Sequence, residues 1–138
     1  MKKTNPKEAL GTHKNPHACV PLTVLAELGI AMMEGSRKYG RHNYRCTNIA
    51  ASTYYDAARR HLDSWWEGED IDPDSGLPHL VKAIASLTVC RDGEIQGKLI
   101  DDRPPKTPAI FWKNLNKLVK DVIEKYPKIA KPFTNKEL

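Results

Sequence analysis

A chain of 138 residues with 40% hydrophobic content is long enough for one domain with its own core and short for two. No run of about 18 apolar residues occurs, which argues against a transmembrane helix. The lysine-led N-terminus also lacks the continuous apolar stretch of a secretory signal, so a cytoplasmic location is expected. The net charge of +5 is carried by the two ends: residues 1–19 hold four lysines against one glutamate, and residues 103–138 hold nine basic residues against three acids. Residues 20–102 carry nine basic and thirteen acidic residues, the reverse of the sign a central surface following a phosphate backbone needs. Cys19, Cys46 and Cys90 are odd in number and widely spaced, which reads as three reduced thiols rather than a zinc or redox pair.

Apolar spacing predicts an all-α bundle of about four helices with no strand, in one domain over 1–138: a flexible basic arm over 1–19, a helical core over 20–126 and a basic tail over 127–138. The first helix is expected from Pro21, whose missing N–H costs nothing at a helix start, to about Lys38. Gly40 ends it, and RHNYRCTNIAAS reads as a polar connection. A second helix starts with Ser52 or Thr53 as N-cap and runs through Glu67 to a stop at Gly68. One of its faces carries Asp56, Asp63 and Glu67 with Arg60, and the other carries Tyr54, Ala58, Leu62 and Trp65 as a core stripe. EDIDPDSG is a turn-rich loop before a third helix from about Leu77 to Gln96. Pro108 opens a fourth, whose apolar stripe is Phe111, Leu115, Leu118, Val119 and Val122. Uncovered apolar surface on Trp65, Trp66 or the fourth helix leads to an expectation of homo-oligomerisation, as a dimer or tetramer.

The chemistry concentrates between Tyr55 and Leu77, which holds seven carboxylates, Asp56, Asp63, Glu67, Glu69, Asp70, Asp72 and Asp74. Acids at close range repel unless a cation or neighbouring bases offset them. If the second helix persists to Asp70, Glu67 and Asp70 lie one turn apart and suit a hard divalent ion; the plain alternative is a solvated helix end. Glu34 and Lys38 are spaced as an i,i+4 ion pair. In the functional reading Glu34 holds metal, Lys38, Arg41 and Arg45 receive phosphate oxygens, and Asn43 is positioned by the glycine turn. His61, His79 and Lys82 are further substrate-binding candidates, against a structural hydrogen-bonding role for each histidine. His13, His17 and Cys19 lack a fourth zinc ligand.

The strings EGSRKYGRHNYR, YYDAARRHLDSWWEGEDIDPDSGLPHLVKAIASL and DDRPP resemble the dATP/dGTP diphosphohydrolase N-terminal family, phage-encoded relatives of the MazG-like all-α nucleoside triphosphate pyrophosphohydrolases that include the MazZ type. The resemblance covers about Pro21 to Pro105. It implies an oligomeric all-α fold and cleavage of a purine nucleoside triphosphate, with dGTP or GTP favoured, between the α and β phosphates. It also implies two or more Mg²⁺ or Mn²⁺ ions per site, held in such enzymes by an EExxE and an ExxD motif. Glu67 and Asp70 match the second motif, whereas Glu34 is followed by Gly35 and Ser36, so the first is incomplete, with Asp56 and Asp72 as substitutes. On this reading Glu34, Glu67 and Asp70 are metal ligands and, with Lys38, catalytic residues. The rival classes are a basic nucleic-acid-binding module, drawn from the pI near 9.1 and RKYGRHNYR, and a catalytically silent phage–host interaction protein.

Overall fold

The computed structural model describes residues 3 and 5–137. The start of the expected arm, residues 1, 2 and 4, and the last residue of the expected tail lie outside the described residues. The chain divides into two compact units, Met1–Arg103 and Pro104–Leu138.

In the first unit the arm contains a short helix α1 (Pro6–Gly11), opened by Asn5, whose side chain accepts the Lys7 N–H at 2.9 Å. A single 3₁₀ turn, His17–Cys19, follows. Helix α2 (Leu22–Tyr39) begins where proline chemistry places it, with Pro21 as its N-cap, and ends at Gly40. The connection expected to be irregular holds one helical turn, α3 (Asn43–Cys46), and a two-residue strand, β1 (Ile49–Ala50). Helix α4 spans Ala51–Trp66 and α5 spans His79–Ile95, followed by β2 (Leu99–Ile100). Helix α5 packs on both α2 and α4 and is the centre of the unit.

The strands pair in parallel, Ile49 with Leu99 and Ala50 with Ile100. This pairing was not expected, because two residues are too few to show an alternating pattern. It ties the segment entering α4 to the segment leaving α5. It also explains where α4 finds its cap. Ser52 and Thr53 lie inside the helix, and the cap comes from Asp102, which accepts the Ser52 N–H at 2.8 Å and the Ser52 hydroxyl. A carboxylate there satisfies a free N–H and opposes the positive end of the helix dipole. Gly93 lies close under β1: a Cβ built on it would sit 2.5 Å from Ile49 Cδ1.

The other end of α4 corrects the expected boundary. The helix stops at Trp66, Glu67 is its C-cap, and Gly68 turns the chain with φ 101°, a left-handed value that glycine adopts without steric cost. Glu67 and Asp70 therefore do not occupy successive turns of one helix. Of the expected core stripe Ala58 is buried, but Leu62 and Trp65 are each 38% exposed, and the neighbouring Trp66 is 79% exposed. The buried positions are mostly small, Ala31, Ala51, Ala58 and Ala83 with Ile49 and Val81, and no large side chain is fully buried among the described residues.

The loop between α4 and α5 is folded on itself. The Asp72 carboxylate, 8% exposed, accepts the Ser75 hydroxyl at 2.7 Å and the backbone N–H groups of Asp74 and Ser75. The Asp72 N–H donates to the Leu77 carbonyl and the His79 N–H to the Asp70 carbonyl, each at 2.9 Å. An aspartate closing a turn through its own backbone explains the otherwise costly burial of a carboxylate.

In the second unit α6 (Ala109–Lys125) starts after Pro108 as expected. Its apolar stripe is exposed, from Leu115 at 39% to Val122 at 58%. A closing turn, Asn135–Glu137, is held by Glu137, which accepts from the Thr134 N–H and hydroxyl.

Candidate active site

A cavity of about 940 Å³ opens in the first unit between α2, the α2–α3 turn, α4 and α5. Its wall brings together six of the residues singled out in the sequence: Glu34, Lys38, Arg41, Asn43, His61 and Lys82. Glu34 is the hub. Its two carboxylate oxygens accept separately from Lys38 at 2.6 Å and from Lys82 at 2.7 Å. The Lys38 bond follows from i,i+4 spacing on α2. The Lys82 bond comes from the packing of α5 on α2, and Lys82 keeps only 18% of its side chain exposed.

The two ammonium groups hold the Glu34 carboxyl below its ordinary range, Lys38 contributing most, and Glu34 in turn raises Lys38. With Arg41 beside them the wall carries more positive than negative charge. Burial pushes the His61 pKa down, so its neutral form is favoured, and burial pushes the Tyr54 phenol up. Tyr39, Tyr44 and Tyr54 add aromatic surface to the same cavity. Tyr54 is expected in a core stripe; the signal that it faces an open space is its position one helical turn before Ala57 and two before His61, which line the same wall.

The remaining candidates lie elsewhere. Arg45 donates through Nε and Nη2 to both Asp92 oxygens, at 3.0 and 2.9 Å, and does not line the cavity. His79 is buried behind His61, with the two Nδ1 atoms 2.9 Å apart and Nε2 2.7 Å from Glu69 Oε1. Asp56 and Asp63 are exposed, and Asp63 is 3.6 Å from Arg59 in an ordinary surface pair. Glu67 and Asp70 sit in the exposed loop and do not line the cavity.

A divalent ion needs oxygens free to point at it from several sides. Among the described residues no three His, Cys, Asp or Glu side chains converge in that way. The Glu34 oxygens are committed to two ammonium groups and those of Asp72 to its own turn. The set Glu34, Glu67 and Asp70 does not fit a protein-built metal cage in this arrangement.

A mainly helical unit with an open cavity, aromatic on one part of its wall and cationic on another, suits a small polyanion with a flat apolar group. The comparison of sequences agrees with that class. The profile of the dATP/dGTP diphosphohydrolase, N-terminal, family matches residues 4–103, and the chain belongs to that family. It is thereby a nucleoside triphosphate hydrolase by family. The matched span includes every cavity residue named above and ends at Arg103, at the boundary of the first unit. No curated protein and no solved structure matches the chain.

Proposed function

We propose that the chain hydrolyses purine deoxynucleoside or nucleoside triphosphates, dGTP and GTP foremost, between the α and β phosphates to give a monophosphate and pyrophosphate. What supports the reading is the pair of lysines converging on one carboxylate at the cavity wall. Glu34 spaces and orients the two ammonium groups; a triphosphate oxygen is a stronger competitor for them because it brings several charges at once. The aromatic part of the wall receives the base.

In the reaction a water oxygen forms a bond to the α phosphorus and gives up its proton to solvent, while the bond to the α–β bridging oxygen breaks and its electron pair leaves on pyrophosphate. Lys38 and Lys82 neutralise the charge that develops on that leaving group, which in a partly desolvated site stabilises the transition state more than it does in water. A Mg²⁺ or Mn²⁺ ion would come to the site with the triphosphate and would screen its phosphate charge. Homo-oligomerisation belongs to the proposal as well, supported within the first unit by Leu22 at 76% and Met33 at 56% exposure on α2. The test is Lys82→Met assayed against dGTP for release of pyrophosphate: lost turnover with an intact fold supports the assignment, and wild-type turnover refutes it.

A further inference from the structure

His61 and His79 face each other from α4 and α5, ring centroids 5.2 Å apart, joined Nδ1 to Nδ1 at 2.9 Å. On its far side His79 Nε2 meets Glu69 Oε1 at 2.7 Å, and the Glu69 side chain is 53% exposed. An ionised carboxylate only accepts, so His79 Nε2 bears the hydrogen and donates. In a neutral ring that leaves the lone pair on His79 Nδ1. The hydrogen between the two rings then belongs to His61 Nδ1, and His61 Nε2 is unprotonated. His61 lines the cavity, and its Nε2 makes no hydrogen bond to any described residue. No buried side-chain nitrogen lacks a partner among the described residues, so Nε2 is reached by solvent.

We propose that Glu69 and His79 are positioning residues that hold His61 as its Nδ1–H tautomer, so that Nε2 stands at the cavity wall as an acceptor for an O–H or N–H donor. The inference rests on the reading of the cavity as the nucleotide site. The donor is either a group of the bound nucleotide or the attacking water, and both offer the same chemistry to an unprotonated imidazole nitrogen. The charged and titratable groups around His61 are Arg60 on its own helix, Asp72 from the loop, and His79 and Lys82 from α5. This arrangement gives a function to Glu69, which the ExxD reading of the same stretch passed over.

The test is the ring ¹⁵N spectrum of the labelled full-length chain, with the His61 signals identified among the five histidines by their loss in His61→Gln. Near neutral pH the expected result is a hydrogen-bearing Nδ1 and a bare Nε2 on His61, with the share of the Nε2–H form rising in Glu69→Ala. An Nε2–H form of His61 in the unsubstituted chain overturns the proposal, as does a tautomer indifferent to Glu69→Ala. This reading needs no turnover, so its failure is separable from failure of the assigned activity. In kinetics on dGTP, Glu69→Ala is expected to lower kcat/KM roughly tenfold, the worth of one misdirected hydrogen bond. A loss in kcat identifies the donor as the attacking water, a rise in KM identifies it as the nucleotide, and an unchanged kcat and KM overturn the proposal.

Discussion

Lys82 of α5 donates to Glu34 of α2 at 2.7 Å across 48 residues of sequence. It joins Lys38, which reaches the other oxygen of the same carboxylate. The pairing makes the meeting of two helices into a cationic wall rather than a neutral ion pair, since one negative charge is shared by two positive ones. Removing Lys82 is expected to act on turnover more than on folding.

Lys82→Met keeps the length of the stem and removes the charge. If the ammonium stabilises the leaving pyrophosphate, kcat falls by roughly 10²-fold, as for loss of one preorganised donor. Lys82→Arg retains part of the activity but not all, because a planar fork does not replace a point charge at the same reach. Steady-state pyrophosphate release by the two variants checks this, and thermal denaturation of each separates a lost fold from a lost charge.

Asp102→Ala removes the cap of α4 from outside the helix. The expected result is a lower urea midpoint, the direction that loss of an N-cap partner gives. Because Asp102 does not line the cavity, kcat/KM at low temperature should stay within about twofold, in line with surface changes away from the site. Urea denaturation and a parallel assay measure both.

Folding stability should fall as the solution is acidified from neutral. The carboxyls of Glu34, Asp72 and Asp102 are all lowered, by the lysines, by the Ser75 hydroxyl and by the Ser52 hydroxyl respectively, and Arg103 brings Asp101 to about 2. Each binds protons more weakly in the folded chain, so its stabilisation is present above the ordinary carboxylate range and is lost as pH falls through the lowered value. His61, lowered from 6.5 by burial, adds the same direction of slope at higher pH, because the unfolded chain takes up that proton first. Lys38 runs the other way: raised from 10.5 by Glu34, it loses its stabilising contribution only as pH rises through its folded value. Urea midpoints across this range check the signs, and a midpoint that rises on acidification below neutral contradicts them.

Much of the fold was legible in the sequence because its punctuation is local. Pro21 and Pro108 open α2 and α6 where a missing N–H is harmless. The residues of the cavity were legible too: Glu34, Lys38, Asn43, His61 and Lys82 were singled out by charge and spacing and line one wall. What the sequence concealed depends on partners distant along the chain. The β1–β2 pair joins residues about 50 positions apart, and the same closure supplies Asp102 to Ser52. The acidic stretch misled for a related reason. Its carboxylates look alike in sequence, but Asp72 closes its own turn, Glu69 reaches back from the loop to His79, and Asp56 and Asp63 are exposed. The left-handed Gly68 turns the chain directly after Glu67, so the helical path that would have aligned Glu67 with Asp70 is broken between them.

The most direct measurement is the product of a single turnover of dGTP, resolved by phosphorus NMR in the presence of Mg²⁺. The expected products are dGMP and pyrophosphate in equal amounts, with both lost together in Lys82→Met. Release of dGDP with inorganic phosphate, or of intact triphosphate, would contradict it.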